Sequence, residues 1–170
     1  MGKLEQLITR IKNVSMNVGS LKTLLPSYAT FKTLDQLNEH RSKVFKNHTS
    51  VVVLVPSNVS SIGHFVVMTK FPKYIEWFDS FGNSPQKVLK KLGQHSDVLM
   101  KLLGKNFLYN SLQLQSNLKS INDCALFVLA RIKLRKLKLR EFQTLFKQRI
   151  TLQSPDDIVS MLTALLLIDL

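Results

Sequence analysis

Cys124, His64 and Asp79 are side-chain types that together can form a thiolate, hold a base beside it and orient that base. Cys124 is the one cysteine of the chain, and it opens a run, residues 124–130, with no polar side chain. Ala and Leu in that run favour helix, and a helix apolar on every side belongs inside a core. Asn122 and Asp123 are residues that cap helices, which predicts a helix starting at or just before Cys124. The N–H groups and dipole at such a terminus favour a thiolate. The plainer reading is a lone buried cysteine placed for packing.

His64 opens one β-rich run, 64–69, and Asp79 closes the next, 74–79, fifteen positions on. If the two runs form a hairpin across the Pro72 segment, the start of one strand lies opposite the end of the other. His64 and Asp79 are then neighbours. An Asp that accepts from one imidazole nitrogen leaves the other to take a thiol proton. Taken singly, each residue has a bland reading: a strand-end His is commonly a surface residue, and an Asp before Ser-Phe-Gly a turn residue. The hairpin is what joins them.

The elements that would position these residues follow from pattern. Leu4, Leu7, Ile8 and Ile11 recur at helical spacing, and residues 20–25 form a short helix or turn stopped by Pro26. Residues 33–44 read as helix. Residues 50–56 are a β-branched run closed by proline, a buried strand. Ser84-Pro85 supplies a cap and an N1 proline for a helix to Leu92, with Gly93 beyond it. A further helix spans 96–103 and stops at Gly104. Residues 105–114 read as a returning strand. After the central helix, Leu139, Phe142, Leu145 and Phe146 mark another, and Ser154-Pro155-Asp156-Asp157 starts the last. Helices, a small sheet of mainly adjacent strands and more helices make an α+β fold. No repeat, linker or boundary divides residues 1–170, so a single domain is expected.

Composition narrows the class. The chain carries 24 Lys and Arg against 11 Asp and Glu, a formal charge of +13, which predicts attraction to polyanions or acidic surfaces. One cysteine excludes an internal disulfide. The four histidines (His40, His48, His64, His95) are scattered, and none has metal-ligand spacing with Cys124, so no metal or other cofactor is expected. No secretory signal or myristoylation motif is visible, and the apolar run 158–168 is too short to span a bilayer. A soluble, intracellular, basic domain without membrane attachment is the expectation.

Four ordered motifs carry a resemblance: Gly63-His64-Phe65, Trp77-Phe78-Asp79-Ser80-Phe81-Gly82, Leu114-Gln115-Ser116 and Asn122-Asp123-Cys124. Over about residues 50–135 the chain resembles the cysteine proteases of the adenain type, the adenovirus maturation protease and its relatives in virophages and Polinton-like viruses. The same papain-like fold carries the proteases of SUMO and other ubiquitin-like proteins. The resemblance implies a central Cys-bearing helix packed on a small, mostly antiparallel sheet. It also implies Cys124 as nucleophile, His64 as base, Asp79 as its orienting acid and Gln115 as oxyanion donor beside the Cys124 N–H. Phe65 and Ala125 stand where the family usually has Trp and Gly, and Gln115 precedes Cys124 by nine positions. Gln113 is a rival for the oxyanion role.

The resemblance further implies an endopeptidase that processes capsid or other virion precursors, cutting next to small residues such as Gly, in the virion and the interior of the infected cell. A protease for ubiquitin-like modifiers is the alternative within the enzyme class. A basic nucleic-acid-binding protein on the same fold is the alternative outside it. The run 131–140 places Arg131, Lys133, Arg135, Lys136, Lys138 and Arg140 close together, either as a solvated helix exit or as a phosphate-binding patch. Lys87, Lys90, Lys91, Lys101 and Lys105 extend the patch in the second reading. DNA would then act as a non-covalent activator of a monomeric enzyme. Activation by a disulfide-linked peptide through a second cysteine is excluded.

Overall fold

The computed structural model describes residues 6, 9, 16–39, 44–60, 63–116, 123–147 and 154–168. Asn122, part of the expected helix at 33–44, and the expected helix at 4–11 apart from residues 6 and 9, lie outside them.

The run 50–56 forms β2 (Ser50–Val55), an inner strand of a five-stranded sheet ordered β1-β2-β3-β4-β5. It pairs with β1 (Ala29–Thr33) on one side and β3 (His64–Lys70) on the other, and β4 (Ile75–Phe78) and β5 (Leu108–Tyr109) follow beyond β3. The β2–β3 and β3–β4 pairings are antiparallel, as expected of adjacent strands. The outer pairings, β1 with β2 and β4 with β5, are parallel, so the sheet is mixed. β1 was not anticipated, and the strand expected at 105–114 shrinks to the two residues of β5.

Side chains alternate between the two faces of a strand, and here both faces are covered. Val52, Phe65, Val67 and Phe78 face one core; Val51, Val53, Val55, Val66, Met68 and Trp77 face the other. That explains why 51–55 reads as continuously apolar rather than alternating. The first core is closed by α1 (Val18–Leu24), α5 (Cys124–Lys133), α6 (Leu139–Lys147) and α7 (Pro155–Ile168). The second is closed by α2 (Leu34–Glu39), α3 (Pro85–Lys91) and α4 (Asp97–Leu103). The result is three layers, helices on each side of the sheet.

α5 is the centre of the first core. Every residue from Cys124 to Ile132 is buried, and burying a side chain such as Phe127 or Leu129 stabilises the fold by roughly 1.5–3 kcal/mol. The helix starts stand where the caps predict. Ser84 Oγ accepts from Lys87 N, Ser96 Oγ from Leu99 N, and Ser154 Oγ from Asp157 N while the Asp157 carboxylate takes the Ser154 N–H.

Candidate active site

The hairpin register pairs Val67 with Phe78, so Asp79 emerges just past the last rung, at the end of the sheet where β3 begins. His64 is the first residue of β3, and its Nε2 lies 2.5 Å from Asp79 Oδ1. Gly63 lets the chain enter there: a Cβ on it would stand 2.9 Å from the Val55 carbonyl oxygen. Asp79 is fully buried, whereas the His64 side chain keeps 12% of its surface exposed.

The carboxylate is held from every side. Phe81 N donates to Oδ1 (3.2 Å), and Asn83 donates to Oδ2 through both its backbone N and its side-chain Nδ2 (each 2.8 Å). Burial pushes Asp79 up, but the hydrogen bond and charge of His64, followed by the two Asn83 donors, outweigh it and hold the carboxyl below its ordinary 3.8. His64 shows the reverse balance. Burial pulls the imidazole down; the Asp79 hydrogen bond, the hydrogen bond and charge of Cys124, and the Asp79 charge raise it from 6.5 to about 10. Asp79 occupies Nε2, so Nδ1 is the nitrogen left for the thiol.

Cys124 sits at the first position of α5, buried at 2% exposure. The Asp123 carbonyl accepts from Leu126 N and Phe127 N, starting the helix there. Asp123 does not supply the expected side-chain cap. Two turns further along α5, Arg131 makes a bidentate pair with Glu76 of β4, Nε to Oε1 at 2.7 Å and Nη2 to Oε2 at 2.8 Å. Glu76 is three residues before Asp79, so this pair fixes the Cys-bearing helix against the strand that leads to Asp79.

The turn after β4 organises the remaining part of the site. Gly82 N donates to the Asp79 carbonyl, and Gly82 has φ +72°. A Cβ there would meet Leu112 C at 2.7 Å, so only glycine lets segment 112–115 lie against the turn. Leu114 N and Gln115 N both donate to the Ser80 carbonyl, and Ser80 Oγ donates to Gln115 Oε1 at 2.7 Å. With its oxygen fixed, Gln115 has its amide nitrogen left to donate. That nitrogen has no acceptor among the described residues, yet it is not enclosed: Thr163 Oγ1 is their only fully buried side-chain polar atom without a partner. Gln113 is exposed, lies outside any strand and donates from Nε2 to the Gln115 carbonyl.

Sequence reasoning missed four residues that build this arrangement. Ser80 and Asn83 hold Gln115 and Asp79. Asn110 Nδ2 donates to the carbonyls of Asp79 (2.6 Å) and Leu112 (2.8 Å), while its Oδ1 accepts from Gln143 of α6. Glu76 holds Arg131. The signal for Ser80 and Asn83 was their place within Asp79-Ser80-Phe81-Gly82-Asn83; Asn110 and Glu76 carried none.

The basic run needs correction. Arg131 is 1% exposed and occupied by Glu76, so it is no part of a phosphate-binding surface. A charge buried among apolar helices requires an opposite charge, and Glu76 provides it. Arg135 is half-buried, stacking on Tyr28 and donating to Thr49 Oγ1; Lys136, Lys138 and Arg140 are exposed. Lys87 and Lys91, expected to extend that run, instead stand on α3, which packs on the other face of the sheet, and line a cleft beside His64. Among the described residues no cluster of His, Cys, Asp and Glu could hold a metal ion, and no helix is long and apolar enough to cross a membrane.

No protein-family model matches this sequence, and no curated protein matches it. Among solved structures, the C-terminal Ulp1 protease domain in complex with Smt3, the yeast ortholog of SUMO, is similar at 13% identity. The TM-score is 0.42, over 99% of this chain and 96% of that one. A likeness that weak carries no argument; the geometry around Cys124 does.

Proposed function

We propose that this protein is a thiol endopeptidase of the adenain type, with Cys124 as nucleophile, His64 as base, Asp79 as its orienting group and Gln115 as oxyanion donor. The observation that carries the reading is His64: one nitrogen bound to a buried carboxylate, and hydrogen bonding to a thiol at the start of a buried helix. An imidazolium kept protonated at neutral pH is the partner an attacking thiolate requires.

In the first half-reaction Cys124 Sγ bonds to the scissile carbonyl carbon. The developing oxyanion takes hydrogen bonds from Gln115 Nε2 and the Cys124 N–H. His64 gives its proton to the leaving nitrogen, the C–N bond breaks, and an acyl-enzyme remains. Water then bonds to the same carbon while His64 takes its proton, the C–S bond breaks, and acid and thiolate are released. Asp79 stays ionised throughout, holding the ring and its charge.

The ordered motifs support capsid or other virion precursors of a DNA virus as substrates, cut next to small residues, by a monomer acting in the virion and the interior of the infected cell. Lys136, Lys138 and Arg140 are the cations through which DNA would act as a non-covalent activator; no other cofactor enters the chemistry. Two measurements test the reading. A thiol-directed probe labels Cys124 at neutral pH in the natural protein and fails to label the His64→Ala protein. Peptide cleavage disappears in Cys124→Ala, whose circular dichroism is unchanged. Equal labelling of both proteins, or full cleavage by Cys124→Ala, refutes the assignment.

A further inference from the structure

A cleft of about 450 Å³ opens beside His64, and its charged walls are unbalanced. Phe81, Val88 and Leu92 give it an apolar lining; Lys87 and Lys91 stand on its rim, one turn apart on the same face of α3. Among the described residues no Asp or Glu lines it, so with His64 protonated every charge they turn to the cleft is positive. Lys91 Nζ is 3.2 Å from Asn83 Oδ1, which keeps one of the two cations directed at the site.

Which half of a substrate reaches this cleft follows from the chemistry. The acyl half becomes attached to Cys124, with its oxygen at Gln115. The amine half leaves from His64, the group that protonates it. The cleft is lined by His64 and not by Cys124, so it receives the residues on the amine side of the cut.

We infer that the cleft beside His64 selects substrates with an acidic side chain among the first residues on the amine side of the scissile bond, paired with Lys87 and Lys91. This inference rests on the thiol-peptidase reading. Exposed ion pairs are individually weak, so two lysines acting on one carboxylate give a preference of about three- to tenfold over a neutral residue. A basic residue there is disfavoured.

Lys87→Glu isolates the effect. Lys87 follows the Ser84 cap by three positions, where a Glu completes a capping box, so the helix keeps or gains stability. Lys91 is left in place because it touches Asn83. The first arm is a fluorogenic peptide series varied on the amine side between Asp, Ala and Lys. The natural enzyme prefers Asp, and Lys87→Glu brings the Asp-to-Ala ratio to about one or below. Cleavage with no acidic preference, or a preference unchanged in Lys87→Glu, overturns the inference. The second arm needs no peptidase activity: the alkylation rate of Cys124 by anionic iodoacetate relative to neutral iodoacetamide. That ratio falls severalfold in Lys87→Glu, and an unchanged ratio overturns the inference. If no peptide is cut by the natural protein, the peptidase reading fails and with it the selection of substrates, whatever the alkylation ratio says of the cleft's charge.

Discussion

Gln115 and Gln113 lie two positions apart, and their surroundings separate their roles. Gln115 is buried with its oxygen taken by Ser80; Gln113 is exposed. An oxyanion donor acts only once charge develops on the carbonyl oxygen. Gln115→Ala should therefore lower kcat by about a hundredfold or more while KM changes little. Gln113→Ala should be nearly silent, and steady-state kinetics on the two variants decides between them. Asp79→Asn keeps a group at hydrogen-bonding distance but removes the charge that stabilises the imidazolium. Turnover should fall substantially, yet less than in Cys124→Ala. The raised His64 value also has a thermodynamic consequence. Its contribution to stability is fully present below the ordinary 6.5 and is lost as pH rises through about 10. The Asp79 contribution is present above 3.8 and is lost as pH falls through its lowered folded value. Urea midpoints of the natural protein and of His64→Ala should therefore differ most between about pH 3.8 and 6.5 and converge towards pH 10. A constant difference from pH 6.5 upward would mean that the folded protein holds the ring neutral. Cys124, His64 and Asp79 were legible because a thiol at a helix start and a His–Asp pair at hairpin ends are uncommon. Ser80, Asn83 and Asn110 were not, because small polar residues fill most turns and their partners are fixed only when the chain closes.

At the scale of elements, strand and helix chemistry was legible wherever it was local: the run at 50–56, the hairpin, and the Ser-capped helices. β1 escaped because its five residues mix apolar and polar types and its pairing with β2 is parallel, across an intervening helix. Arg131 escaped for a related reason. A cation near the end of an apolar helix reads as reaching for water, and its partner Glu76 is 55 residues away. The pair makes a prediction that local chemistry could not. Arg131→Met leaves a buried carboxylate without its cation and should cost about 3–5 kcal/mol in urea denaturation. Replacing both residues together, Arg131→Met with Glu76→Leu, should recover most of that loss, since desolvation offsets much of the attraction in a buried pair. If the single and double variants are equally unstable, the loss comes from packing around Phe142, whose ring lies 5.3 Å from the guanidinium, rather than from charge.

For the whole molecule, the formal charge of +13 was plain from composition, but its distribution was not. The fold buries Arg131, half-buries Arg135 and places Lys87 and Lys91 at the cleft, leaving Lys136, Lys138 and Arg140 as the exposed part of the basic run. Each phosphate contact contributes about 0.9 to the slope of log affinity against log salt for duplex DNA. Reversing the charge of those three residues should therefore reduce the slope by about 2–3, read by fluorescence anisotropy at stepped salt concentrations. An unchanged slope places DNA elsewhere or nowhere on the protein. The turn at 79–83 has a different consequence. Ser80 grips Gln115 by backbone and side chain, while Asp79, its chain neighbour, grips His64. The proton-handling arm and the oxyanion arm thus hang from one hinge-pin, and neither can drift without pulling on the other. Lineages diverging from this chain are free to rewrite the cleft rim one residue at a time. At Ser80 and Gly82 they can change only by compensated steps, and a laboratory search for altered specificity would do well to leave those two positions untouched.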